Sequence, residues 1–196
     1  MPKNKKNIFS VFENNFDQNR DVNYNFINDD KTKNKLLRLV SIIVDSLNDG
    51  KKLIVCGNGG SAADSQHFVA ELVSKFKKIR KPLSALALTT DSSIITSIAN
   101  DFSFEQIFSK QVEALGKKGD VLIGISTSGT SNNVLNALKT AKKKKISTIL
   151  LTGKIKKQYN YIDLKIDVPS SSTARIQEIH ELIYHSICEI VESSLA

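Results

Sequence analysis

The sequence has no long apolar run. None approaches the roughly 18 residues that a membrane-spanning helix needs, and no apolar signal-peptide core follows the polar opening residues. We therefore expect a cytoplasmic protein with no membrane partner. Cysteine is scarce: Cys56 and Cys188 belong to no CxxC motif or Cys/His cluster, so nothing indicates a structural zinc site. Internal repeats and low-complexity linkers are also absent, apart from a polar N-terminal region.

Acidic residues are fewer than basic ones: the sequence has 20 Asp and Glu against 28 Lys and Arg, which gives a formal net charge of +8. Lysine clusters at 75–81, 142–145 and 154–157 fall at predicted helix ends and in loops. They do not follow one face with interleaved aromatic residues, so we expect no nucleic-acid partner. Solvated surface is the favoured interpretation, and attraction of a phosphorylated substrate is the functional alternative.

The stretch at 55–72, VCGNGGSAADSQHFVAEL, predicts a strand, a glycine-rich loop and a helix. Ser61 is typical of an N-cap, and apolar residues recur after it at helical spacing. A helix N-terminus at the end of a strand presents free N–H groups and suits an anion such as phosphate. The loop matches neither GxGxxG nor a P-loop, so it does not by itself indicate a nucleotide.

His67 and Glu71 lie four residues apart on this predicted helix, so their side chains share one face. An imidazole and a carboxylate in that arrangement could share a metal ion or a proton. Taken alone, the pair is also explained by a surface hydrogen bond.

A second loop of the same kind, STSGTS at 126–131, follows a predicted strand at 120–125 and precedes a predicted helix at 132–143. Hydroxyls, backbone N–H groups and a helix dipole would converge on one anion there, although a simple cluster of N-caps is the alternative. Further strands are predicted at 83–88, 146–151 and 162–168, and helices at 35–47, 92–100, 104–115 and 173–195. This alternation predicts a parallel sheet with helices on both faces and ligands beyond the carboxyl ends of its strands.

The two ends of the chain differ in pattern. Residues 1–33 read as a polar segment with one short amphipathic helix, and residues 34–196 as a single domain. The final helix sets Gln177, Glu181 and His185 at four-residue intervals within an apolar stripe. From this pattern alone, His185 is either a core residue or a ligand.

Four motifs occur in order: CGNGGSAADSQHFVAEL at 56–72, ANDF at 99–102, GISTSGTSNNVLNAL at 124–138 and TARIQEIHELIYH at 173–185. Together they resemble the sedoheptulose 7-phosphate isomerases (phosphoheptose isomerases) of the sugar isomerase, or SIS, domain superfamily. The resemblance implies a flavodoxin-like three-layer α/β sandwich with a five-stranded parallel sheet, assembled as a homotetramer with active sites at subunit interfaces. It also implies an aldose–ketose isomerase that converts sedoheptulose 7-phosphate to D-glycero-D-manno-heptose 7-phosphate through an enediol, the first step toward the heptose of a surface glycan.

The resemblance also assigns roles to residues. Glu71 and His185 match the acid/base pair, and one zinc per subunit is implied at the positions His67, Glu71, Gln177 and His185. The implied substrate contacts are Asn58, Gly59, Gly60, Ser61, Glu71, Asn100, Asp101, Ser126, Thr127, Ser128, Ser131 and Gln177.

Two departures from the family pattern stand out. Ser74-Lys75-Phe76 replaces the Gly-Arg-Tyr of many relatives, and lysine lacks the planar bidentate grip of arginine. Ala174 stands where some relatives have an acidic residue. Whether Glu71 is base and zinc ligand at once is open.

Two other functions are known among proteins with similar motifs. A non-catalytic SIS protein that binds a replication-initiator protein is the main alternative, but such proteins generally lack the acid/base residues. A sugar-phosphate-sensing regulator would need a DNA-binding domain, for which the N-terminal segment leaves too little room.

Helix geometry adds an expectation about assembly. Gln177 and His185 are eight residues apart on one predicted helix, which separates them by about 12 Å along its axis. One zinc is reached more easily if the two residues come from different copies of the chain, so we expect active sites shared between subunits.

Overall fold

The computed structural model describes residues 5–195, with side chains from residue 8 onward. The first four residues of the predicted N-terminal segment, and Ala196, lie outside the described residues. The helices are α1 (Lys5–Asn28), α2 (Asp30–Asn48), α3 (Gly60–Val73), α4 (Ser92–Asp101), α5 (Ile107–Leu115), α6 (Asn132–Lys143) and α7 (Thr173–Leu195). The strands are β1 (Leu53–Gly57), β2 (Ala85–Ala87), β3 (Val121–Ser126), β4 (Ser147–Gly153) and β5 (Leu164–Val168).

The five strands form one parallel sheet in the order β2-β1-β3-β4-β5. The direction of winding reverses between β1 and β3, where Val55 pairs with Ile123. Ligands of such sheets bind in the crevice beyond the carboxyl ends of the strands at this switch point. The two loops that the sequence singles out both leave the sheet there.

Successive residues of each strand supply two separate cores. Leu53 and Val55 pack with α2, α3 and α7 on one face, whereas Ile54 and Cys56 pack with α5 and α6 on the other. Because both faces are covered, β1 and β3 are buried along their whole length and read as unbroken apolar runs. The predicted three-layer α/β sandwich is confirmed.

The N-terminal region differs from the prediction. In place of one short helix, α1 runs for 24 residues. The second helix begins at Asp30, because Asp29 caps it by accepting the backbone N–H of Thr32 at 2.8 Å. The predicted division between residues 33 and 34 therefore falls inside α2. Periodicity missed the length of α1 because many of its large apolar residues face away from the core of this chain.

Smaller corrections concern helix starts. Gly59, not Ser61, is the N-cap of α3, and Ser61 lies buried in the first helical turn. Gly59 has φ 55° and ψ −123°, a conformation that side chains resist, so glycine makes the tight exit from β1. A single 3-10 turn, Phe104–Gln106, precedes α5 where one helix was predicted. No described helix is both long and apolar enough to cross a membrane.

Candidate active site

The loops after β1 and β3 are joined by a reciprocal pair of amide hydrogen bonds. The Asn58 side-chain amide donates to Asn133 Oδ1 at 2.9 Å, and the Asn133 amide donates to Asn58 Oδ1 at 2.8 Å. Asn133 Oδ1 also accepts the backbone N–H of Val134, which ties the pair to the first turn of α6. The switch-point crevice is therefore braced by side chains from both of its walls.

The loop at 126–131 is organised by its own hydroxyls. Ser126 Oγ lies 2.9 Å from Ser131 Oγ, and Ser128 Oγ accepts from the Thr130 hydroxyl at 3.0 Å. Ser131 is the N-cap of α6, but its side chain makes no capping hydrogen bond. The first N–H groups of α6 are thus not taken up by that side chain, and such groups suit an anion.

A tyrosine supports the turn of this loop. The Tyr159 hydroxyl donates to the carbonyl of Gly129 at 2.8 Å, and Gly129 has φ 65°. The backbone N–H of Gly153, at the end of β4, donates to Thr127 O at 3.0 Å. The loop is therefore held from outside as well as from within.

Helices α3 and α7 lie side by side and run in the same direction. Gln177 meets Gly60 at the start of the pair, and His67 meets Tyr184 farther along. Past the end of α3, the backbone N–H of Phe76 donates to Glu192 near the end of α7. Two helices more than a hundred residues apart in sequence thereby build one surface.

His67 is the centre of this surface, and we call His67 and the side chains around it, Glu71, Glu181, Tyr184 and His185, the His67 surface. Its Nε2 lies 3.2 Å from Glu71 Oε1, one helical turn along α3. Its Nδ1 lies 3.0 Å from the Tyr184 hydroxyl and 3.8 Å from Glu181 Oε1. The His185 ring lies nearly perpendicular to the His67 ring, with ring centroids 5.0 Å apart.

Gln177 does not join this cluster within one chain. Its side-chain amide packs directly against Gly60, so closely that a methyl group on Gly60 would collide with it. Eight residues of α7, about 12 Å of axial rise, separate it from His185. Gln177 therefore faces the loop after β1, near Asn58 and Gly59.

Asn100 and Asp101 lie at the C-terminal end of α4, where the Asn100 amide donates to Asp101 Oδ1 at 2.9 Å. Both are exposed, and their helix packs on the α5 and α6 side of the sheet. None of the hydrogen bonds found among residues 5–195 links either side chain to the His67 surface or to the two loops.

The comparisons with known proteins agree with this geometry. The SIS domain family profile matches residues 24–153. A phosphoheptose isomerase of Clostridium acetobutylicum is 54% identical over 158 residues, which is 80% of this chain and 81% of that protein. The chain belongs to the phosphoheptose isomerase family of SIS-domain proteins. Solved structures of family members from Neisseria gonorrhoeae (37% identity, TM-score 0.87, 95% of this chain and 99% of that chain) and Francisella tularensis (36%, 0.89, 94% and 98%) share its fold.

Helices α3 and α7 bring several ionisable groups together around His67. Burial and the neighbouring Glu181 carboxylate raise the pKa of Asp64 to about 6, against an opposing effect of His67. Burial, followed by the charges of Glu181 and Asp64, raises the pKa of Tyr184 far above its usual value. Tyr184 therefore stays protonated and acts as a hydroxyl rather than a phenolate.

The donor groups on this surface suit a divalent metal ion. His67, Glu181 and His185 each offer a ligand atom, and these atoms lie within 4.8 Å of one another. Zinc bonds of about 2.0–2.2 Å place neighbouring ligands roughly 3.4 Å apart, so small side-chain rotations would close the set. Glu71 Oε1, at 3.2 Å from His67 Nε2, already has that spacing.

Several residues of this site carry no role in the sequence interpretation. Asn133 had a usable signal, because it directly follows the serine-rich loop in the first turn of a helix. Glu181 also had one, because it lies four residues from both Gln177 and His185 on the predicted final helix. Tyr159 and Tyr184 had none of that kind, since only tertiary packing brings them to Gly129 and His67. Lys75, one of the departures from the family pattern, is exposed, and the adjacent Phe76 stacks on His185.

Proposed function

We propose that the protein interconverts sedoheptulose 7-phosphate and D-glycero-D-manno-heptose 7-phosphate. The observation that carries the proposal is a phosphoheptose isomerase fold that keeps both a hydroxyl-lined anion loop and the His67, Glu71 and His185 cluster. No comparable observation favours the replication-initiator alternative.

The loop at 126–131 would hold the phosphate. Ser126, Thr127, Ser128 and Ser131 offer hydroxyls next to the start of α6, so donors and the helix dipole point toward one anion. Binding energy spent on the phosphate orients the distant carbonyl end of the sugar.

Glu71 and His185 would move the protons. Isomerisation removes a proton from the carbon next to a carbonyl and returns a proton one carbon away, while the oxygens exchange theirs. Glu71, one quarter exposed, is the carboxylate that takes the proton from one carbon and returns it to the neighbouring carbon. His185 carries the proton between the two oxygens, and an enediol lies between the aldose and the ketose.

A zinc ion, one per subunit, is the proposed cofactor, which His67, Glu71 and His185 would hold together with Gln177 supplied from another copy. When bound, zinc would stabilise negative charge on the two enediol oxygens.

The dimensions of one chain support sites shared between subunits. Glu71 lies eleven residues beyond Gly60 on α3, about 16 Å along the helix axis. The six carbon–carbon bonds of a heptose span at most about 9 Å. A substrate held by the loops of one chain is thus served more directly by the Glu71 of a second chain. The predicted homotetramer and cytoplasmic location stay predictions.

The test is the turnover of sedoheptulose 7-phosphate by the purified protein, measured as the rate at which the aldose forms. Turnover is measured before chelation, after chelation and after zinc is restored. We expect turnover that falls on chelation and returns with zinc. A zinc-loaded, folded protein that forms no aldose would contradict the proposed reaction. Unchanged turnover after verified metal removal would contradict the cofactor alone.

A further inference from the structure

Both ring nitrogens of His67 are engaged, and by different kinds of group. Nε2 faces the Glu71 carboxylate at 3.2 Å, a spacing expected of two atoms that share a metal ion. Nδ1 faces the Tyr184 hydroxyl at 3.0 Å. The side of the ring that faces Tyr184 is therefore filled by protein, and the side that faces Glu71 is the one available for a metal.

Tyr184 is held rigidly in this contact. Its side chain is buried, its ring stacks on Phe68 with centroids 5.4 Å apart and 20° between the planes, and it forms a T-shaped pair with the His185 ring at a centroid distance of 4.7 Å. A ring packed on two sides cannot swing its hydroxyl away from His67. The hydroxyl is therefore a fixed contact for the imidazole of His67, whose side chain is 44% exposed.

The Glu181 carboxylate approaches the same ring nitrogen. It lies one helical turn before His185 on α7, and its Oε1 is 3.8 Å from His67 Nδ1. A hydroxyl accepts one hydrogen bond and donates another, so it can join an N–H donor to a carboxylate acceptor. An imidazole N–H, a phenol hydroxyl and a carboxylate can therefore form one chain of hydrogen bonds.

We infer that Tyr184 and Glu181 form a hydrogen-bonded relay that holds the His67 ring with Nε2 turned toward Glu71 and the metal ion. In the relay, His67 Nδ1–H donates to the Tyr184 oxygen, and the Tyr184 O–H donates to Glu181. The inference rests on the zinc site of the proposed function and assigns Tyr184 and Glu181 as positioning residues. Histidine ligands in proteins are commonly oriented by such partners on the second nitrogen, and losing one costs about 10–100-fold in metal affinity.

The test is the zinc affinity of the full-length protein, measured by chelator competition, for the wild type, Tyr184→Phe and Glu181→Gln. Phenylalanine keeps the packed ring and removes only the hydroxyl, so the fold should survive, as circular dichroism would show. We expect both variants to bind zinc about 10–100-fold more weakly than the wild type. Matched controls are Tyr161→Phe and Glu189→Gln; Glu189 is an exposed carboxylate of the same helix, paired with Lys77.

The outcomes separate the relay from direct ligation by Glu181. Weaker binding in Tyr184→Phe, together with a ¹⁵N spectrum of the zinc-loaded wild type that shows His67 protonated at Nδ1, supports the relay. Unchanged affinity in Tyr184→Phe with a large loss in Glu181→Gln would make Glu181 a ligand and overturn it. A wild-type protein that binds no zinc would also overturn it. Sedoheptulose 7-phosphate turnover by the wild type is measured separately, so failure of the relay and failure of the proposed reaction are distinct results.

Discussion

The anion loop at 126–131 and the His67 surface between α3 and α7 differ in how completely one chain assembles them. The loop lies next to a buried strand end, its hydroxyls bond one another, and Tyr159 and Gly153 hold its backbone. The His67 side chain is 44% exposed, and Gln177, which the family pattern places with it, lies about two turns before His185 on α7, against Gly60. In our proposal, phosphate binding therefore depends on one contiguous segment, whereas proton transfer and metal binding depend on how distant helices of separate chains come together.

The largest expected effects separate chemistry from binding. Glu71→Gln and His185→Ala should each lower kcat by about 10²–10⁴-fold, because general acid and base groups contribute that much. Phosphate affinity should stay near the wild-type value in both variants. Steady-state kinetics and inorganic phosphate binding check this, with Glu189→Gln as the control. Near-wild-type kcat in either variant would move the chemistry away from the His67 surface.

The second test asks whether the His67 surface is completed by another chain. Gln177→Ala and His185→Ala proteins should each be nearly inactive, and an equal mixture of unfolded and refolded chains should regain activity. If each site takes the two residues from different copies, about one site in four of a random hybrid is intact. Hybrids are verified by native mass spectrometry. Hybrids as inactive as their parents would show that each chain supplies both residues to its own site.

A smaller effect is expected in the anion loop. Ser126→Ala and Ser128→Ala each remove one hydroxyl from a site for a charged phosphate, where a hydrogen bond is worth about 1.5–3 kcal/mol. We expect KM for the sugar phosphate to rise roughly tenfold or more with kcat largely kept. Ser194→Ala, whose hydroxyl bonds only its own helix at Ile190 O, is the control. Equal KM values in loop and control variants would reduce the loop to a helix cap.

The smallest effect on turnover is expected for His180, a histidine on the buried side of α7. His180 is fully buried, and burial lowers its pKa to about 4, with only partial opposition from the Thr152 backbone. Between about pH 6.5 and pH 4 the unfolded chain binds a proton that the folded chain does not, so stability is lost as pH falls through this window.

The loss should amount to at most about 3 kcal/mol per chain, measured by urea unfolding at fixed protein concentration. In His180→Phe the dependence on pH between 4 and 6.5 should flatten, while turnover at pH 7.5 changes little. A slope equal to that of the wild type would assign the acid sensitivity to other groups, such as the carboxylates.

Local chemistry made parts of the fold predictable. The helix at 132–143 was predicted with the bounds that α6 has, and the helix at 173–195 with those of α7. Both combine a clear start with an apolar stripe that meets the core. The start of α3 was misplaced by two residues, because Ser61 looks like a cap and the unusual backbone of Gly59 leaves no mark in the sequence beyond the glycine itself. The length of α1 was missed because it shows little periodic burial in one chain.

The sequence by itself determined the order of strands and helices, the two loops at the switch point, and the presence of His67, Glu71 and His185 as ionisable candidates. Each of these follows from residues close together in the chain, where hydrogen bonding and helix periodicity act locally. Only the tertiary structure decided that Asn133 braces Asn58, that Gln177 faces Gly60 and not His185, and that Tyr184 and Glu181 stand against His67. Those contacts join residues 75 to 117 positions apart, and their geometry is set by how α3, α6 and α7 pack on the sheet.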